Sequence, residues 1–123
     1  MIDFKTLQIW QRSHFLVLDI YKASQIFPKE ELYILTAQLR RAAVSVPSNI
    51  AEGCGRNSDG ELARFLTIAM GSTAELEYQI LLAKDLGYIE TDNYETINNE
   101  IIEIRKMINS FLTKVNARLS IKK

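Results

Sequence analysis

Residues 40–56, RRAAVSVPSNIAEGCGR, gather side chains capable of chemistry: three arginines, a glutamate, two serines, an asparagine and the chain's only cysteine. A serine nucleophile needs a base beside it. The only histidine is His14, far off in sequence, and it recurs in no Ser-His-acid or Cys-His pattern. A di-iron bundle needs a Glu-x-x-His motif on each of two helices, which a single histidine cannot supply. Cys54 stands between two glycines near the end of a helix, a place that can expose a thiol. A helix C-terminus does not lower a thiol pKa, and one cysteine forms neither an internal disulfide nor a zinc cluster. Glu75 and Glu77 lie two apart on a helix and point to different faces, so they are no acid–base pair. No glycine-rich phosphate loop follows a strand, because no strand pattern exists. The chain is therefore read as a non-enzyme without metal or cofactor.

What remains for these residues is binding and packing. At 100° per residue, Gln38, Arg41, Ser45, Ser48, Asn49, Glu52 and Arg56 share one arc of the second helix, roughly opposite Leu39 and Ile50. Ala42, Ala43, Ala51 and Gly53 permit a neighbouring helix to approach closely. We read the set as a polar seam, Gln38, Arg41, Ser45, Asn49, Glu52 and Arg56, packed in or beside an interface where unpaired charge would be costly. Arg41 and Arg56 are expected to reach Glu52 across neighbouring helices. Pro47 removes one backbone donor, frees the carbonyl of Ala43 and should kink the helix there.

The elements that position the seam follow from punctuation. Only Pro28 and Pro47 interrupt 123 residues, apolar spacings of three and four dominate, and no alternating β-branched run occurs. The spacing predicts a helix from about Lys5 to Phe27, stopped by Pro28, and a second from Lys29, with a left-handed glycine cap between Gly53 and Arg56. A third opens on the capping box Ser58-Asp59-Gly60-Glu61 and stops at Gly87. A fourth opens on Asp92-Asn93-Tyr94-Glu95 and runs to about Leu119. Ser72-Thr73-Ala74-Glu75 also fits the box, but the helical period passes through it without a break. Short links between long helices predict one domain, 1–123: an all-α, antiparallel up-down four-helix bundle.

The apolar residues exceed what one bundle face requires. Helix four shows a single clean stripe of Ile97, Ile101, Ile104, Ile108, Phe111, Val115 and Leu119. Helix one carries a main stripe (Leu7, Trp10, Val17, Leu18, Tyr21, with His14 at the core edge) and a second of Ile9, Leu16, Ile20 and Phe27. Helix two has a core stripe of Leu32, Leu35, Leu39, Ala43, Val46 and Ile50, beside a strip of Tyr33, Ala37, Val44, Pro47 and Ala51. Helix three centres on Leu62, Phe65, Ala69, Leu76, Ile80 and Ala83, with Ile68, Leu82 and Leu86 on one flank and Met70 and Leu81 on the other. A surplus on three of four helices in so small a domain predicts a homo-oligomer.

Bulk charge narrows the partners. Lys+Arg and Asp+Glu are 15 each, which gives no drive toward polyanions or anionic membrane. The last ten residues are locally basic, with Lys114, Arg118, Lys122 and Lys123 and no acid. One unpaired cysteine, no leader pattern and no apolar run of about 20 residues predict a cytoplasmic protein without a membrane partner.

The segment QLRRAAVSVPSNIAEG at 38–53, combined with GSTAELE at 71–77, resembles the four-helix-bundle family of 23S rRNA intervening-sequence proteins, over Phe4–Ile89. The resemblance implies a ring-like homopentamer without established catalytic residues, and kinship with the accessory proteins of diversity-generating retroelements, which are basic and bind nucleic acid. This neutral chain would need a focused patch to grip RNA, for which the candidates are Arg40, Arg41, Arg56, Arg64, Lys114 and Arg118. Alternatively Arg41, Arg56 and Arg64 are neutralised by Glu52, Glu75 and Glu77. Two functions follow: an oligomer associated with RNA or a nucleic-acid-processing protein, or a ring-forming scaffold whose partner is a protein.

Overall fold

The computed structural model describes residues 2–122. It contains α1 (Gln8–Ser24), α2 (Leu35–Cys54), α3 (Asp59–Asp85) and α4 (Thr91–Lys122), with short 3-10 turns at Phe4–Thr6 and Lys29–Glu31. Each helix packs on its neighbours in the order α1–α2–α3–α4, and α4 closes against α1. Two cross-links that run in opposite directions along α3 and α4 fix the antiparallel register of that pair, and single cross-links tie α2 to α3 and α1 to α4. Ser45 meets Ser72 between α2 and α3, Asp59 meets Arg118 and Glu77 meets Arg105 between α3 and α4, and Arg12 meets Glu100 between α1 and α4.

The core is the set of inward stripes, with Leu16, Ile20, Leu39, Ile50, Leu66, Leu76, Ile80, Ile101, Ile104, Ile108 and Val115 fully buried. Helices three and four present the expected stripes, apart from Phe111 and Leu119, which are only half-buried. In α1 the order is reversed. The second stripe, Ile9, Leu16, Ile20 and Phe27, forms the core, while Leu18 and Tyr21 of the expected main stripe are exposed and Trp10 and Val17 are half-buried. Periodicity finds both stripes with equal ease, and only the positions of α2 and α4 choose between them. Leu32, expected in the core, is also exposed, because the helix that would have turned it inward has not yet begun.

The helix ends depart from expectation for local reasons. Residues 5–27 are not one helix: Leu7 is extended and separates the 3-10 turn from α1. Asp3 caps that turn by accepting from the Lys5 amide. Residues 29–31 form a separate turn before α2, and Glu31 works from outside that helix. One of its oxygens accepts from the Leu35 amide at 3.4 Å and the other from the Tyr88 hydroxyl at 2.9 Å. Gly55 closes α2 with φ −81°, so no left-handed cap forms there. Gly87 alone, among the described residues, has positive φ, 79°, as the stop after α3 requires. Ser58 caps α3 through the Glu61 amide, but the Glu61 carboxylate goes to Arg64 instead of completing a capping box. Helix α4 starts at Thr91, which puts Asp92 in its first turn, where a carboxylate suits the positive end of the dipole.

Candidate functional site

The polar seam and the apolar strip beside it lie on α2, which continues helically through Pro47. Ala42, Ala43 and Gly53 are buried against the bundle. A Cβ at Gly53 would stand 3.0 Å from the Phe65 Cβ and 3.1 Å from a Leu62 methyl, so the missing side chain is what lets α2 and α3 touch here. The seam is stitched by hydroxyls and an amide. Ser45 and Ser72 share a 2.7 Å hydrogen bond, the Asn49 amide donates to the Ser45 carbonyl at 2.8 Å and hydroxyl at 2.9 Å, and all three residues are half-buried. Gln38, Arg41, Ser48, Glu52 and Arg56 are exposed, so only the middle of the expected seam is a packed one.

The candidate cations fare differently from one another. The Arg40 guanidinium donates to the Ser24 hydroxyl at 2.9 Å and the Tyr21 carbonyl at 3.3 Å, and lies 4.7 Å from the centroid of the Tyr21 ring. Arg56 pairs with Glu52 at 3.3 Å, four residues back along its own chain and not across a neighbouring helix. Arg64 pairs with Glu61 at 3.0 Å. Both arginines also cover the ring of Phe65, at 5.0 and 4.7 Å. Arg118 makes a two-pronged bond to Asp59, both contacts 3.1 Å, which pins the end of α4 to the start of α3 and holds the guanidinium proton more tightly than usual. Arg41 and Lys114 are exposed without an ionic partner among the described residues. Lys114 edges a groove of about 290 Å³ between α1 and α4, which also involves Leu7, Ile9 and Phe111. Arg41 was expected to meet Glu52 and does not. Glu77 is occupied by Arg105 at 2.7 Å, while Glu75 is exposed and has no ionic partner among the described residues. Lys123 and the Lys122 side chain lie outside the described residues.

Beside the seam runs a broad depression that the motifs did not signal. Its larger part, about 680 Å³, is lined by Tyr21, Leu32, Tyr33, Thr36, Ala37, Arg40, Arg41, Val44, Ser45, Ser48 and Asn49. A second part of about 310 Å³ continues it along α1 and α2, with Phe4, Trp10, His14, Val17, Val44, Pro47, Ser48 and Ala51. Val44 and Ser48 belong to both, so the outer face of α1 and α2 is one trough with a floor of small residues. Its rim is aromatic: Tyr33 is 89% exposed, and Trp10 stacks on His14 with ring centroids 5.2 Å apart. His14 is therefore a solvent-facing ring and not a core-edge hydrogen-bonding group. The signal for this trough was present in the two stripes of helix one and the small-residue strip of helix two. Which stripe faced outward was missing.

Among the described residues, no group of three His, Cys, Asp or Glu could hold a metal. Cys54 is buried, contrary to the exposed position its flanking glycines suggested, and burial pushes its thiol up from the ordinary range. Its carbonyl accepts from the Ile2 amide at 3.1 Å, so the N-terminal segment lies across the end of α2. Among the described residues, no helix is long and apolar enough to cross a membrane.

A family model described as 23S rRNA-intervening sequence protein matches residues 5–110. A solved structure from Bacteroides thetaiotaomicron VPI-5482, described as a protein of unknown function from the S23 ribosomal protein family, is similar at 26% identity. Its TM-score is 0.78, over 85% of this chain and 97% of that one. No curated protein matches the chain.

Proposed function

The chain belongs to the 23S rRNA-intervening sequence protein family, and from that premise we propose that it is a non-catalytic subunit of a homo-oligomeric scaffold. One observation carries this reading. The outer face of α1 and α2 is a continuous apolar trough, with Tyr21, Leu32, Tyr33 and Val44 all exposed in the single chain. A contiguous apolar face of this kind marks an association surface. A ring of five copies, implied by the resemblance, is the expected assembly. Its tested quantity is mass in solution by light scattering: a multiple of the chain mass at micromolar concentration supports the scaffold, and a monomer at that concentration removes it.

Association with RNA or with a nucleic-acid-processing protein is the second reading, and the relation to retroelement accessory proteins stays within it. Unpaired Arg41 beside Arg40, together with Lys114, favours it, and a closed ring would repeat that charge around an axis. Against it, Arg56, Arg64 and Arg118 are already paired with acids. The assay is binding to structured RNA and duplex DNA across a salt series. Phosphate contacts predict affinity that falls steeply with salt, and that Arg41→Glu and Lys114→Glu weaken it. Weak binding without a salt slope leaves the scaffold reading, with a protein as its client.

A further inference from the structure

Two outward faces of this molecule complement each other. The α1–α2 trough is lined by Arg40 and Arg41 and by no aspartate or glutamate. The outward arc of α3 reads Ile68, Gly71, Ala74, Tyr78 and Leu81, all exposed, with Tyr78 at 62%. The unpaired charges beside that ridge are Glu75 and Asp85, both exposed and without an ionic partner among the described residues, while Arg64, one turn before Ile68, is paired with Glu61. Lys84 points elsewhere, 5.0 Å from the Tyr94 ring. One face is a concave apolar surface with spare positive charge, and the other is a convex apolar ridge with spare negative charge.

Gly71 supplies a separate indication. It lies mid-helix on the ridge, and a Cβ built there meets nothing within 4 Å. An interior helix glycine costs about 0.5–1 kcal/mol relative to alanine. No neighbour inside the chain requires the missing side chain, whereas a backbone approaching from outside would.

We propose that the α3 ridge of one copy seats in the α1–α2 trough of a second copy, with Tyr78 over the small-residue floor and Glu75 and Asp85 toward Arg40 and Arg41. This rests on the oligomer reading above and names its surfaces. A trough-on-trough contact would bring arginines against arginines, and a ridge-on-ridge contact acids against acids, so charge selects the mixed pairing. Because the two patches differ, the contact is head-to-tail, and each copy carries one of each. Such contacts propagate from copy to copy until a ring closes.

The test uses two full-length variants at exposed positions, Val44→Arg in the trough and Tyr78→Arg on the ridge, with folding checked by circular dichroism. Each alone loses the wild-type assembly and runs as a monomer. Mixed, they retain one intact trough and one intact ridge between them, so they form a one-to-one heterodimer of twice the chain mass, resolved by native mass spectrometry. The pair Ser48→Arg and Ala74→Arg repeats the experiment at neighbouring exposed positions. A mixture that stays monomeric, or a single variant that keeps the wild-type mass, overturns the ridge-in-trough contact while leaving the scaffold reading intact. A monomeric wild type overturns both.

Discussion

At the scale of single residues, the tightest constraints surround the end of α2. Gly53 has no room for a side chain against Phe65 and Leu62. Gly53→Val should destabilise the fold by about 1–3 kcal/mol through overpacking, visible as a lower denaturation midpoint with an unchanged slope. Its neighbour Cys54 is 2% exposed, with its thiol pKa raised by desolvation. We expect Ellman's reagent to label it only as the protein unfolds; immediate stoichiometric labelling of native protein would contradict the buried position. Tyr88 tells a related story about protonation. Its hydroxyl donates to Glu31, and that bond, with smaller help from burial and the charges of Glu31 and Glu30, raises the phenol above its ordinary value of 10.0. The folded state thus holds the phenolic proton more tightly than the unfolded chain. The stabilisation is fully present below pH 10.0 and is lost as pH rises through the raised folded pKa. Absorbance titration at 295 nm should show one late tyrosine step that Tyr88→Phe removes.

At the scale of elements, the ends and faces of helices can be tested independently. The Ser58 hydroxyl caps α3 through the Glu61 amide at 3.1 Å, and Ser58→Ala should cost about 0.5–2 kcal/mol in chemical denaturation. Gly71→Ala should act in the opposite direction. The added methyl finds open space and removes the entropic cost of an interior glycine, so the single chain gains about 0.5–1 kcal/mol. Stability measured with the assembly dissociated by dilution isolates this term. The pairing of stripes is also an element-scale result. The helix-four pattern of Ile97, Ile101, Ile104 and Ile108 was unambiguous because its other faces are polar, and every one of these residues is buried. Helix one was not legible in the same way. Both of its stripes obey the helical period, and the choice depended on a neighbour about 10 Å away, not on anything within 17 residues of α1.

At the scale of the molecule, charge is balanced locally as well as in total. Arg12 with Glu100, Arg105 with Glu77 and Arg118 with Asp59 each tie two helices together, while Arg56–Glu52 and Arg64–Glu61 are local pairs. Partly exposed pairs of this kind contribute about 0–1 kcal/mol each, so their larger effect is on register and on what charge is left for a partner. Of the groups without an ionic partner among the described residues, Arg40 and Arg41 border the α1–α2 trough while Glu75 and Asp85 flank the outer arc of α3, on a different face of the bundle. That arrangement favours a partner that brings both signs, which another copy of the chain does and a nucleic acid does not.

By itself, the sequence determined the helical class, the number of long helices, the stop at Gly87, the cap at Ser58 and the close approach at Gly53. Each of these follows from a residue type or its local spacing: a fixed period, a hydroxyl within reach of an amide, a missing Cβ. The tertiary structure alone decided which stripe of α1 is core, that Arg118 is neutralised by Asp59 while Arg41 meets no acid among the described residues, that Cys54 is buried, and that Tyr88 reaches Glu31 from 57 positions away. Burial and ion pairing depend on what stands opposite in space. The helical period fixes the direction of a side chain around its own axis, and the packing of the other three helices fixes what it meets there.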